Sequence, residues 1–151
     1  MAITSSSDSV RTSTYWIQIG FFSIVVLFNV CLNLQVLTVG LAYFYDPEWW
    51  KVHVWLVRGY SGLTLLLLGL VFLSPFPKRV RGLTVSIPIL LALQFITIHL
   101  NPPLPLPLPL GVLHPLIGFT LFSASTTLVH RTQRFIFPKL DDESDVNLTK
   151  Q

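Results

Sequence analysis

The side chains with the clearest capacity for chemistry are three histidines, His53, His99 and His114, which stand at the starts or ends of long apolar segments. Neutral imidazole is a frequent ligand of haem iron, and ionisable groups close to a bilayer are rare without a role. Zinc sites favour tight spacings such as His-Glu-x-x-His or paired cysteines, and the sequence contains neither. The long separations favour two axial ligands that different helices deliver to one haem.

Two further residues fit a haem site. Gly118 follows His114 by four residues and so lies on the same face of a helix, where its missing side chain would leave room for a flat porphyrin. Arg58 lies five residues after His53, and its guanidinium could meet a haem propionate, because guanidinium groups bind carboxylates. The sequence contains no Ser/His/Asp set, paired catalytic carboxylates, phosphate-binding loop or thiolate site, which favours a role without catalysis.

The elements that must position these residues are apolar enough to cross a membrane. Of the 151 residues, 52% are hydrophobic and 11% are charged, whereas soluble domains carry about 25% charged residues. A helix that crosses a bilayer needs roughly 20 apolar residues, and four segments are predicted as spans: about 15–44, 52–73, 83–100 and 112–130. The sequence therefore predicts an all-α fold, a polytopic bundle of four transmembrane helices in the lipid bilayer, without a nucleic-acid-binding surface.

The charges predict how the bundle sits in the membrane. Cations cluster in the connection after the second span and behind the fourth: Lys78, Arg79, Arg81, Arg131, Arg134 and Lys139. Since positively charged connections stay on the cytoplasmic side, both termini are expected there, and the three candidate histidines are expected at the outer face. Both a bacterial plasma membrane and a thylakoid membrane fit this prediction.

Polar tails flank the predicted membrane domain, which covers residues 15–139. Residues 1–14 are rich in serine and threonine, and residues 140–151 are acidic with little hydrophobic material, so both are predicted as disordered tails. Between the third and fourth spans, Pro102–Pro109 alternates leucine and proline, which favours a polyproline II loop. Three interpretations of this loop stay open: a stiff connector, a lid over a site, or a docking surface for another membrane protein.

Two helix faces carry packing signals. Asn29 and Asn33 are four residues apart in the first span, and amides at membrane depth are expected to bond to a neighbouring helix. Gly59, Gly62 and Gly69 lie within one stripe of the second span. Small residues in a stripe allow two helices to approach closely, so the stripe predicts a central position for the second helix.

The third and fourth spans carry a family resemblance. The sequence LALQFITIHL, followed by GVLHPLIGFTLFSAS, resembles the second pair of helices in one half of a haem A synthase. The four-span plan, with His53 early in the second span, is similar to one four-helix half of that family and, more loosely, to cytochrome b561-type bundles. Closer in size and layout is a family of small, uncharacterised four-span bacterial and cyanobacterial membrane proteins. In that family a tryptophan and a histidine open span two, and His-Pro-x-x-Gly opens span four.

The resemblance to haem proteins implies that His53 and His114 are the axial ligands of a haem b. Two departures count against a transfer of the synthase reaction. Haem A synthases have a Glu-x-x-His-Arg arrangement, whereas Glu48 here stands five residues before His53, and Val54 follows it. Haem A synthases also contain two such bundles, and this chain has room for one. Only haem binding is carried over.

Two classes of function stay open at this point. The first is a cofactor-free accessory, assembly or scaffold subunit of a larger membrane complex. The second is a b-type haem-binding membrane protein with bis-histidine ligation by His53 and His114, supported by His99 or Gln94, for electron transfer or haem handling. A transporter or channel fits less well, because the chain lacks the broken helices and repeats that are typical of transporters.

Overall fold

The computed structural model describes residues 4–99 and 110–138, with side chains from residue 13 onward, and these residues form helices joined by short connections. The four α-helices are α1 (Thr4–Phe44), α2 (Trp49–Leu73), α3 (Lys78–His99) and α4 (His114–Ile136), and a short 3-10 helix (Leu110–Leu113) leads into α4. No strand occurs within the described residues. The predicted all-α fold with four helices is therefore confirmed.

All four helices are long and apolar enough to cross a membrane. The membrane-crossing segments are Ser13–Phe44, Trp49–Leu73, Lys78–His99 and Leu110–Ile136. Each of them exceeds the roughly 20 residues that span the hydrocarbon layer of a bilayer. The chain is thus a small membrane-spanning helical protein, and the predicted orientation with both termini in the cytoplasm stays a prediction.

The helices extend further than the predicted spans. Helix α1 already begins at Thr4, inside the segment predicted as a tail, α3 begins at Lys78, and α4 ends at Ile136. Hydropathy locates the apolar part of a helix, whereas backbone hydrogen bonding continues through polar and charged residues at the membrane surface. The Pro102–Pro109 loop and the acidic segment 140–151 lie outside the described residues, and the predicted domain boundaries stay predictions.

The helices form a closed ring in the order α1, α2, α3, α4. Within the described residues, each helix packs against its two neighbours, and the diagonal pairs, α1 with α3 and α2 with α4, are not in close contact. Neighbours are antiparallel, since Gln18 bonds to Ser74 at one end of the α1–α2 pair and Gln35 bonds to the backbone of His53 at the other. Buried side chains of all four helices fill the centre: Phe21, Val25, Phe28, Leu67, Val71, Ile87, Leu121 and Leu128.

This topology gives the bundle two different ends. At the first, which we call the polar end, α1 and α3 finish and α2 and α4 begin. At the second, which we call the basic end, α2 finishes, α3 begins and α4 finishes; its cations are Lys78, Arg79, Arg81, Arg131 and Arg134.

A polar contact links α1 to α4 in the middle of the bundle. The side-chain amide of Asn29 donates to the hydroxyl of Ser125 at 3.2 Å and to that of Thr126 at 3.1 Å. The amide of Asn33 donates back to the Asn29 carbonyl within α1, at 2.9 Å. The prediction that the asparagine face bonds to a neighbouring helix is confirmed for Asn29.

The glycine stripe of α2 faces away from the bundle. A Cβ atom built on Gly59, Gly62 or Gly69 would meet no neighbouring atom of the described chain within 4 Å. Helix α2 instead buries Tyr60 and the residues Thr64, Leu67 and Val71. The prediction of close helix approach at the glycines is therefore wrong within this chain, because larger side chains on another face of α2 fill the core.

Candidate functional site

Each helix contributes polar groups to the polar end of the bundle. Helix α1 provides Gln35 and Thr38 near its end, α2 provides His53, α3 provides Gln94, and α4 begins at His114. The two histidines belong to diagonal helices, with His53 near the start of α2 and His114 at the start of α4, and both stand at the polar end. The structure thus places the two predicted ligands at the same end of the bundle, on opposite sides of the ring.

The His53 ring is held by a hydrogen-bond chain from α1. Its Nδ1 atom lies 3.1 Å from the hydroxyl oxygen of Thr38, and that hydroxyl donates its proton to the Gln35 carbonyl at 2.7 Å. A hydroxyl has a single proton to donate, so Thr38 can only accept from His53, whose Nδ1 carries the hydrogen. The neutral ring therefore has its lone pair on Nε2.

Two further contacts fix the backbone and the ring at this position. The side-chain amide of Gln35 donates to the backbone carbonyl of His53 at 3.0 Å. The ring of Trp50 lies edge-on to the imidazole, with 5.4 Å between the centroids. The first turn of α2 is thereby attached to the last turns of α1, and the orientation of the His53 ring follows from this attachment.

The His114 ring takes the same tautomer by a different route. Its Nδ1 atom lies 3.3 Å from the backbone carbonyl of Gln94, which also accepts the hydroxyl proton of Thr97 at 3.0 Å. A carbonyl oxygen only accepts hydrogen bonds, so Nδ1 of His114 carries the hydrogen and Nε2 carries the lone pair. Both predicted ligands are therefore arranged as metal-binding histidines usually are, with the second ring nitrogen bonded to a protein oxygen.

The side chain of Gln94 lies over Gly118. A Cβ atom at position 118 would stand 2.6 Å from Nε2 of Gln94, so the space left by the glycine is taken by this amide. The amide oxygen of Gln94 is buried and has no donor among the described residues, and the same is true of the amide oxygen of Gln35. Buried acceptors are nearly always hydrogen-bonded, so two unpaired ones beside two imidazoles mark this end as a place for a further polar group.

Two predicted site residues lie apart from this cluster. The guanidinium of Arg58 stands over the ring of Trp55, 5.8 Å from its centroid, on the exposed side of α2. His99 is exposed, and its Nδ1 lies 2.8 Å from the backbone carbonyl of Phe95. The roles of Arg58 toward a propionate and of His99 toward the ligands stay predictions.

No group of three or more His, Cys, Asp or Glu side chains that could hold a metal ion occurs in the described residues. What the structure places at the polar end is His53 with Thr38 and His114 with the Gln94 carbonyl. The sequence analysis missed Thr38 and Gln35 as partners of His53. The sequence does contain a signal for this contact. Gln35 and Thr38 are polar, stand three residues apart near the end of the first apolar span, and precede the connection that leads to His53.

Comparison with known proteins relates part of the chain to a family of unknown function. Residues 35–99 match the profile of a family of unknown function, DUF6220. The match includes four of the residues assembled at the polar end, Gln35, Thr38, His53 and Gln94, and ends before His114. No curated protein matches the chain, and no solved structure does. The similarity to an uncharacterised family agrees with the sequence analysis, and it includes no link to haem A synthase or cytochrome b561.

Proposed function

We propose that this membrane protein binds a b-type haem at its polar end, with His53 and His114 as axial ligands, in the service of electron transfer or haem handling. One observation carries the proposal: two imidazoles from diagonal helices stand at the same end of the bundle, each with Nδ1 bonded to a protein oxygen. When bound between two histidines, haem iron supplies one-electron redox chemistry.

The residues of the chain would hold the group as follows. The Thr38 hydroxyl and the Gln94 carbonyl fix the ring orientation of the two histidines and make their Nε2 atoms more basic, which strengthens ligation. Both histidines are half-buried beside apolar helices, which favours binding of a hydrophobic macrocycle.

The glutamine that covers Gly118 is compatible with this role. The side-chain amide of Gln94 makes no hydrogen bond to the described residues, and its oxygen is already unpaired. Rotation of this side chain away from Gly118 therefore breaks no hydrogen bond and opens the space that the glycine leaves. The two histidines and Gly118 are residues of the kind that would hold a haem, and Gln94 would have to move away from Gly118.

A reduced-minus-oxidised visible spectrum of the detergent-purified full chain tests the proposal. We expect a sharp Soret and α band in the wild type, and loss of both bands in His53→Ala and in His114→Ala. His130→Ala is the matched control, because this histidine is exposed and lies far along α4 from His114; its bands should match the wild type. Helical circular dichroism establishes that each variant is folded. A colourless wild type from cells supplied with haem would overturn the proposal.

The second candidate is a cofactor-free accessory, assembly or scaffold subunit of a membrane complex, and the outward face of α2 favours it. Arg58 follows Trp49 by nine residues, which at ~1.5 Å per residue places it about 14 Å into the helix. A cation at membrane depth usually has a partner. Its guanidinium stands over the Trp55 ring, and the open glycines Gly59 and Gly62 follow it in the same helix. A transmembrane helix that carries a carboxylate would pack on the glycines and pair with Arg58.

This candidate is tested by extracting the protein from its membrane in polymer-bounded native nanodiscs and measuring the size of the complex. We expect the wild type to migrate above a monomer and Arg58→Glu to migrate as a monomer, because the reversed charge would repel a partner carboxylate. Lys51→Gln is the control, since Lys51 is an exposed cation in the first turn of α2, two turns before Arg58, with its own partner in Glu48. Equal sizes of the wild type and Arg58→Glu would exclude the candidate.

A further inference from the structure

The basic end contains a guanidinium whose hydrogen-bonding capacity is largely unused. Nη2 of Arg81 donates to the backbone carbonyl of Ser74 at 3.4 Å, a carbonyl that already accepts the Phe76 N–H at 2.8 Å. Nε of Arg81 is buried and has no acceptor among the described residues. A guanidinium has five N–H donors, so the single long bond to the described residues leaves most of them available to an anion.

This guanidinium is placed by the packing of the bundle. Ser74, which it contacts, is buried and accepts the Gln18 amide of α1 at 3.1 Å. Phe76, two residues further on, packs against Phe21 of α1 with 4.6 Å between centroids and against Phe135 of α4 with 5.7 Å. The connection between α2 and α3 is therefore anchored to both other helices, and Arg81 is held at this junction.

The charges around Arg81 have one sign. The described side chains include two carboxylates, Asp46 and Glu48, and both lie in the connection between α1 and α2 at the opposite end of the bundle. Lys78 and Arg79 precede Arg81 in the first turn of α3 and are exposed. A half-buried cation with cationic neighbours and no carboxylate among the described side chains of its end is a site for an external anion.

We propose that Arg81 binds the phosphate group of an anionic phospholipid, with phosphatidylglycerol as the probe. A guanidinium recognises phosphate through paired N–H donors, and basic pockets between helices on the cytoplasmic side bind the head groups of anionic lipids. This end is the one predicted to face the cytoplasm. Exposed Phe72 and Leu73, just before the connection, provide an apolar surface for the acyl chains. The site is separate from the histidine pair and does not depend on haem binding.

Thermal unfolding of the full chain in a neutral detergent tests the proposal, with added phosphatidylglycerol, phosphatidylcholine or inorganic phosphate. We expect phosphatidylglycerol alone to raise the midpoint of the wild type. Arg81→Gln should weaken the apparent affinity about tenfold or more, because charge-assisted hydrogen bonds are lost. Arg79→Gln removes the same charge two residues away from an exposed position and should keep most of the effect.

A second variant covers the case in which Arg81→Gln does not fold. Arg81→Lys keeps the charge but loses the planar set of donors, so its response to phosphatidylglycerol should be weaker than that of the wild type. An equal response of the wild type and both Arg81 variants would overturn the proposal. If inorganic phosphate stabilised the wild type as much as phosphatidylglycerol does, the ligand would be free phosphate and not a lipid. If phosphatidylcholine did so, the negative charge of the lipid would have no role. A response that emerges only after deletion of residues 140–151 would show that the acidic segment occupies Arg81, and would also overturn the proposal.

Discussion

The contact between Gln94 and Gly118 gives a quantitative test of how α3 and α4 are aligned. In Gly118→Ala, the new Cβ would stand 2.6 Å from Nε2 of Gln94, and ordinary contact begins at 3.4 Å. The amide must therefore withdraw by about 0.8 Å, the difference between these two distances. Because the obstacle is the far end of a flexible side chain, the substitution should disturb the fold only locally.

Two terms of opposite sign set the expected change in the free energy of unfolding. Replacement of glycine by alanine in a helix stabilises by about 0.5–1 kcal/mol. Displacement of Gln94 from its preferred rotamer costs about 0.5–1.5 kcal/mol. Gly118→Ala alone should therefore be close to neutral. In a Gln94→Ala background only the favourable term remains, so the same substitution should stabilise by about 0.5–1 kcal/mol.

The double-mutant cycle isolates the contact. Wild type, both single variants and the double variant are unfolded with SDS in mixed micelles as haem-free protein, with helical circular dichroism as the signal. We expect a coupling free energy of about 0.5–1.5 kcal/mol between positions 94 and 118. Gly62→Ala is the control, because no atom lies within 4 Å of its Cβ position, and it should show no coupling to Gln94→Ala. A coupling below about 0.3 kcal/mol, the error of such cycles, would refute this alignment of α3 and α4.

The remaining predictions concern single hydrogen bonds. Thr38→Val removes the acceptor of His53 Nδ1 at nearly constant volume, so haem titration of the purified protein should show an affinity about 10–100-fold lower; an unchanged affinity would argue against the hydrogen-bond chain. Asn29→Leu removes two bonds to α4 and should cost about 0.6–1.7 kcal/mol in SDS unfolding. Asn33→Leu should cost less, because the bonds of the Asn33 amide to the described residues lie within α1; equal costs would contradict this assignment. Lys51→Ala should leave the unfolding midpoint unchanged, since both members of its ion pair are exposed.

The number and order of the helices could be predicted because the bilayer sets a minimum length for an apolar helix. The same reasoning placed His53 and His114 at one end, since consecutive spans alternate in direction. The contact of Thr38 with His53 could not be predicted in this way. It depends on how α1 is rotated about its axis against α2, and residue spacing within one helix does not determine that rotation.

The prediction for the glycine stripe failed for a related reason. Gly59 and Gly62 indicate a face on which close approach is possible, but they do not specify whether the approaching helix belongs to the same chain. In this bundle the buried face of α2 carries Tyr60 and Leu67 instead. The cover of Gly118 by Gln94 likewise requires the offset between α3 and α4, which the proline-rich sequence between them does not fix.

The ring of four helices has a mechanical consequence. Because the backbones of α2 and α4 are not in close contact within the described residues, a ligand bound by both His53 and His114 would add a direct link between these two diagonal helices. A ligand that binds only the folded state adds about 2.7 kcal/mol of stability at a free concentration 100 times its Kd. Loaded and empty chains would then differ in rigidity across the whole polar end, so a membrane protease that attacks loosened bundles would remove the empty chains first.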